Sequence, residues 1–162
     1  MIVHPIDPLF DSESQILILG SFPSVKSREE GFFYGHPHNR FWKLLARLFE
    51  DDTPSSIEEK KDFILKHHLA LWDVIHSCNI TGSADSTISD VVPNDLSVIL
   101  DNADIKKIYV NGRKAYGLYK KYLENVTGVE AVYLPSTSPA NAAMSLDKLA
   151  DKWKVILSEV TK

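Results

Sequence analysis

Apolar and polar positions alternate along this chain in blocks that read as strand, loop and helix in turn. Ile16-Leu17-Ile18-Leu19 is continuously apolar and too short for an amphipathic helix, so residues 15–19 are expected to form a buried strand. It ends in Gly20-Ser21-Phe22-Pro23-Ser24, and a long polar and aromatic loop runs on to about His38. From residue 39 to 50, Phe41, Leu44, Leu45, Leu48 and Phe49 fall at helical spacing. Ser56-Ile57-Glu58-Glu59 reads as a capping box opening a helix to about His67. Further strands are expected at 69–75, 107–110 and 130–134, and helices at 94–102 and 113–124. A final helix at 145–160 carries Leu146, Leu149, Trp153, Ile156, Leu157 and Val160 on one core-facing stripe. Residues 1–14 read as a lead-in wrapped on the surface. Strands alternating with helices predict an α/β fold, a three-layer α/β/α sandwich around a central, mostly parallel four-stranded sheet.

The chain has 162 residues, a length that suits a single domain spanning 1–162. No apolar run approaches the roughly 20 residues needed to span a membrane, and no basic start precedes an apolar segment. A cytoplasmic protein with no membrane association is therefore expected. Cys78 is the only cysteine, which excludes an internal disulfide and any four-cysteine metal site, and it reads as a structural thiol. The net charge of -4 argues against coating nucleic acid by bulk charge but leaves room for a local patch. Acids cluster at Glu50-Asp51-Asp52 and Glu58-Glu59, away from Lys26, Arg28, Arg40 and Lys43.

In a parallel sheet the loops leaving the first, second and fourth strands converge on one edge, where open α/β sheets bind ligands. They bring together aromatics, amides and hydroxyls, including Phe22, Tyr34, Asn39, Asn79, Ser86, Thr137 and Asn141. Such groups suit a planar heterocycle, held by stacking and edge hydrogen bonds. That set is poor in paired carboxylates, and the sequence holds no Gly-X-Gly-X-X-Gly fingerprint, Walker A loop or Gly-X-Ser-X-Gly elbow. Ser136-Thr137-Ser138-Pro139 either holds a phosphate or closes on itself as a Ser/Thr turn. Asn39 is by type a helix N-cap.

Gly20-Ser21-Phe22-Pro23-Ser24, followed by Ser27, Gly31, Tyr34 and His36-Pro37-His38-Asn39-Arg40-Phe41-Trp42, resembles the first motif of the uracil-DNA glycosylase superfamily. Leu71-Trp72-Asp73-Val74, Gly82-Ser83-Ala84-Asp85-Ser86 and Leu134-Pro135-Ser136-Thr137-Ser138-Pro139-Ala140-Asn141 add to a likeness with its hypoxanthine-DNA (deoxyinosine) glycosylase family. The resemblance implies a monomeric, cofactor-free and metal-free enzyme. It would excise a deaminated base, hypoxanthine or uracil, from DNA containing deoxyinosine or deoxyuridine, and leave an abasic site. It assigns catalysis to Asn39, the base pocket to Gly20, Ser21, Phe22, Tyr34, His36, Asn79 and Ser86, and DNA phosphates to Ser24, Ser136, Thr137, Ser138 and Asn141. Leaving-base assistance falls to backbone N–H groups, His36 or His38. In the mismatch-specific branch the water-orienting Asn stands where this chain has Phe22. Uracil enzymes carry a His where it has Ser136-Thr137-Ser138-Pro139, a departure that speaks against strong uracil excision. The alternative is a non-catalytic nucleic-acid or nucleotide-binding module on the same fold, with Phe22 as its support.

Overall fold

The computed structural model describes residues 1–159. Its centre is a four-stranded, wholly parallel sheet in the order β3-β2-β6-β7, formed by β2 (Ile16–Gly20), β3 (Leu69–Asp73), β6 (Lys107–Asn111) and β7 (Ala131–Leu134). Ile16 to Leu19 are fully buried, as a central strand covered on both faces requires. The connection from β2 to β3 carries α2 (Phe41–Leu48) and α3 (Ile57–Lys66), the short α4 (Ser97–Leu100) precedes β6, and the connection from β6 to β7 carries α5 (Arg113–Tyr122) and α6 (Glu124–Thr127). The two connections step along the sheet in opposite directions, so crossovers of the usual right hand place their helices on opposite faces. The last helix, α7 (Leu146–Trp153), packs against α2. The sheet flanked by helices is the architecture the pattern predicts. Among the described residues no helix is long and apolar enough to cross a membrane.

Four local differences have physical causes. The lead-in is not merely surface wrapping: β1 (Ile2–Val3) pairs antiparallel with β4 (Ile75–Asn79), which pairs with β5 (Ser89–Pro93) to make a second sheet. The predicted strand 69–75 breaks at Val74, where Asn94 Nδ2 donates to the carbonyls of Asp73 (2.9 Å) and Ile75 (3.1 Å). The loop after β2 contains a short helix, α1 (Val25–Glu30), capped by Ser24 and closed by Gly31 in the left-handed region. Finally, α7 tightens at Lys154 into a 3-10 turn, Lys154–Glu159. Three residues per turn rotate the apolar stripe, so Ile156 stays buried while Leu157 is exposed. Val160 of the predicted stripe lies outside the described residues.

Other expectations hold in detail. Ser56 caps α3 by accepting from the Glu59 N–H, and the Glu59 carboxylate reaches back to the N–H of Ser55 rather than that of Ser56. Cys78 is buried, and its burial pushes the thiol pKa up, as for an inert structural cysteine.

Candidate active site

The chain leaves β2 for β3 on one side and returns to β6 on the other. The edge between β2 and β6 is therefore the switch point where such sheets bind ligands. A cavity of about 310 Å³ opens there, lined in part by Gly20, Tyr34, Asn39, Asp73, Asn111 and Thr137. That is the small end of the roughly 300–1,000 Å³ of ligand pockets, a volume suited to one heterocyclic base.

Asn39 stands just before α2, and its Oδ1 accepts from the N–H of Phe41 (3.0 Å) and the hydroxyl of Thr137 (2.8 Å). A backbone N–H can only donate, which fixes the oxygen on that side and leaves Nδ2 as the other arm of the amide. Thr137 is fully buried; its Oγ1 accepts from Asn111 Nδ2 and its N–H donates to Asn111 Oδ1, both at 3.1 Å. A chain of hydrogen bonds therefore runs from the end of β6 through the loop after β7 to Asn39. Arg40, not Asn39, holds the N-cap position of α2, and Asn39 one residue further out bonds the N–H of Phe41 while standing in the pocket wall.

Arg40 holds the far wall. Its guanidinium donates to the carbonyls of Ser138 (2.8 Å), Asn141 (3.0 Å) and Met144, and its backbone N–H to the Thr137 carbonyl (3.1 Å). Inside that loop the Ser/Thr turn closes on itself: Ser136 Oγ accepts from the Ser138 N–H and Ser138 Oγ from the Ala140 N–H. Gly112, at a φ of 101°, lets Ser136 approach to within 3.2 Å of where a Cβ would stand.

Tyr34 forms another wall, its ring stacked on Phe41 with centroids 3.9 Å apart. It holds a left-handed backbone, φ 53°, uncommon for an aromatic residue and the kind of local strain found at functional sites. Its hydroxyl is buried with no hydrogen-bond partner among the described residues. Burial, then the Asp73 carboxylate, push its pKa far up, with Asn111 pulling weakly the other way, so the phenol stays neutral. Gly20 makes the floor: a Cβ there would lie 2.5 Å from Asp73 Oδ1 and 3.2 Å from Tyr34 Oη. Only glycine lets these two oxygens converge on the backbone.

Of the residues the sequence pointed to, Gly20, Ser21, Phe22, Ser24, Tyr34, His36, Asn39, Ser136, Thr137 and Ser138 line this cavity. Asn79, Ser86 and Asn141 do not. Asn79 is exposed on β4, where Nδ2 donates to Asp90, and Ser86 is exposed in the 3-10 turn Asp85–Thr87. The residue of that turn that reaches the pocket is Asp85, which accepts from the Ser21 hydroxyl at 3.0 Å; crowding by protein atoms raises the pKa of its carboxyl. Asn141 is occupied in donating to the Ser136 carbonyl. Sequence reasoning missed Asp73 and Asn111, which end β3 and β6. Their signal was available: each is the polar residue that closes an apolar strand at the same edge. The histidine that holds Asp73, His4, gave no such signal because it arrives from the N-terminal strand. Among the described residues no group of three or more His, Cys, Asp or Glu is placed to hold a metal ion.

The uracil DNA glycosylase superfamily profile matches residues 8–158. A hypoxanthine DNA glycosylase of Methanosarcina acetivorans is 36% identical over 158 residues, covering 96% of this chain and 98% of that protein. A hypoxanthine DNA glycosylase of Methanosarcina barkeri is 35% identical over 136 residues, covering 83% and 85%. A solution NMR structure from Methanosarcina acetivorans, described as a candidate uracil DNA glycosylase, superposes with a TM-score of 0.81 at 34% identity and covers 96% of both chains. This chain belongs to the uracil DNA glycosylase superfamily.

Proposed function

We propose that this protein is a DNA glycosylase of base-excision repair. It hydrolyses the N-glycosidic bond of a deaminated base, hypoxanthine before uracil, in DNA carrying deoxyinosine or deoxyuridine. The whole chain acts as one monomeric glycosylase domain in the cytoplasm, without a cofactor. The observation that carries this reading is Asn39 on the wall of a base-sized cavity at the sheet's switch point, held there by Phe41 and by the Asn111–Thr137 relay.

The damaged nucleotide leaves the stack and enters the cavity, a step made cheaper by its weak pairing. Tyr34, backed by Phe41, covers one face of the base. Asn39 positions the water that attacks the sugar C1′. An amide is no general base near neutral pH, so it acts by placement and by its dipole. One lone pair of Oδ1 must be freed for that water, and rotation of the Thr137 hydroxyl frees it. His36 assists departure of the base: its Nδ1 accepts from the His38 N–H at 3.1 Å, so the neutral ring carries its proton on Nε2 as a donor. His36 lines the cavity and His38 does not. The hydroxyl protons of Ser136 and Ser138 take the flanking phosphate. Ser24 is the weaker phosphate candidate, because its hydroxyl already caps α1 and donates to Ser27 (3.1 Å).

One observation favours the second reading, a binding module without hydrolysis: both lone pairs of Asn39 Oδ1 are occupied as the protein stands. Release of free base from inosine- and uracil-containing oligonucleotides separates the two. Hypoxanthine release supports the enzyme; DNA binding with no release of either base supports the module.

A further inference from the structure

Between Asp104 and Glu124 the chain carries six cations and no acid, in a protein whose formal net charge is -4. Four of them, Arg113, Lys114, Lys120 and Lys121, lie on α5, and none of these four makes an ion pair among the described residues. Lys26, Arg47, Lys66 and Lys154, by contrast, each meet a carboxylate. Rings hold the α5 cations instead. The Arg113 guanidinium lies over Tyr133, 5.5 Å from the ring centroid, Lys120 lies over Tyr116 at 5.4 Å, and Tyr116 meets Tyr133 edge to face at 6.0 Å. A cation over a ring is steadied while its N–H donors stay open. Arg113, Gly117, Lys120 and Lys121 are exposed, and spacings of three and four put them on one face of the helix. Gly117 is the odd member. A glycine inside a helix costs stability against alanine, and a Cβ there would meet nothing within 4 Å, so no internal contact explains it. The helix therefore shows a bare notch of backbone between two sets of free cations.

We propose that this outer face of α5 is a second DNA-contact surface, which grips the sugar–phosphate backbone of the duplex beyond the nucleotide in the pocket. It goes beyond the pocket and rests on the glycosylase reading only for the choice of DNA as the polyanion. Three observations point to phosphates as the occupant. The acids that flank the stretch, Asp104, Glu124 and Glu130, precede β6, follow α5 and precede β7, so they lie toward the amino end of the sheet and leave α5 itself wholly cationic. The cations cover the tyrosine faces nearest them, so the surface offers N–H donors rather than open platforms for bases. Finally, the helix starts beside the pocket: a Cβ at Gly112, which precedes it, would stand 3.2 Å from the Ser136 side chain on the pocket wall. A phosphate track entering there continues along α5, whose ten residues run about 15 Å, the axial length of roughly four base pairs. At Gly117 the missing side chain lets a phosphate or sugar approach the helix backbone, between Arg113 one turn earlier and Lys120 and Lys121 one turn later. Such a grip is salt-dependent, because it releases counterions, and it is indifferent to base sequence.

The test measures equilibrium binding of labelled duplexes, with and without a deoxyinosine, over a salt series. Wild type, the triple variant Arg113→Gln/Lys120→Gln/Lys121→Gln, and Gly117→Gln are compared. In the triple variant the slope of log affinity against log salt should become shallower by about two or more, since each lost phosphate contact removes about 0.9. Shortening the duplex on one side of the lesion from about eight base pairs to about three should weaken wild type about fivefold or more, and the triple variant less than about twofold. Gly117→Gln gives a readout that damage to the fold cannot mimic. A helix-favouring side chain in open space should raise the urea midpoint while DNA affinity falls about threefold or more. A triple variant with the wild-type slope and length dependence overturns the inference, whether the face then serves an acidic protein or only water. So does a Gly117→Gln that gains stability and binds as tightly as wild type. Undamaged duplex keeps the two readings apart. A slope that changes there, with no hypoxanthine released by wild type, ends the glycosylase reading and leaves the surface standing. Hypoxanthine release by wild type, with unchanged binding in every variant, does the reverse.

Discussion

The two ends of the sheet each carry a polar cavity, and the larger one is not where the chemistry converges. At the amino end, the ends of α2, α3 and α7 enclose about 920 Å³ lined by charged and histidine side chains such as Arg47, Lys66, His67 and Asp147. Polar side chains around it bond one another: Lys66 (3.0 Å) and His67 (2.9 Å) meet Asp51, Lys154 meets Asp151 (3.0 Å), and Arg47 meets Asp147. Most of these pairs lie in solvent, where each is worth little. His68 Nδ1 is buried there without a partner among the described residues, but it is a single nitrogen. At the carboxyl end, groups far apart in sequence meet, and two of them, Asp73 Oδ1 and Tyr34 Oη, have valence to spare on one glycine floor. Neither size nor charge separates a site from a scaffold groove. Convergence of distant, incompletely satisfied groups does.

If this contrast is right, substitutions at the carboxyl edge lower base release whatever they cost in stability, and those at the amino edge cost stability alone. Asn39→Ala is the largest: hypoxanthine release in single-turnover assays should fall about 100- to 1,000-fold, the scale of a lost positioning dipole. Arg40→Ala removes the donors that hold the far wall at Ser138, Asn141 and Met144. Roughly 2–4 kcal/mol of stability should go, read by urea unfolding, with at least tenfold lower release. Thr137→Val keeps the shape but cuts the relay between Asn111 and Asn39. A loss of about 1–3 kcal/mol for the orphaned amide is expected, with about tenfold slower release as Asn39 loosens.

The smallest effect tests the other end. His67 first, then Lys66, hold the Asp51 carboxyl down at about 2. A depressed carboxyl contributes stability above its ordinary pKa of about 4 and loses it as pH falls toward 2. Asp51→Asn should therefore be less stable than wild type at neutral pH, with the gap closing between about pH 4 and pH 2 in acid-unfolding curves. Base release should stay within about twofold of wild type, as for a surface change remote from the site.

The sheet was legible because its strands are local apolar runs whose burial depends on neighbours of any kind: Ile16 to Leu19 could hardly be anything else. Tyr34, Asn39 and the Ser136–Ser138 turn were legible through their motif. Asn79 and Ser86 were misplaced because a polar segment after Asp73 looks like a loop at the active edge, whereas β4 carries Asn79 out into the second sheet. His4 was out of reach for a different reason. Its partner Asp73 is 69 residues away, and no periodicity encodes a contact made by an N-terminal strand folding back onto β4. Asn39 shows the limit in another way: its cap-like and pocket roles were both visible, but only the geometry reveals that Thr137 and Phe41 occupy its oxygen.

The central claim is tested most directly by incubating the purified protein with a duplex carrying a single deoxyinosine and assaying for free hypoxanthine and an alkali-labile abasic site. The account predicts both in wild type, with no strand break before alkali, and near loss of both in Asn39→Ala. Tight binding of that duplex without release of the base would contradict it.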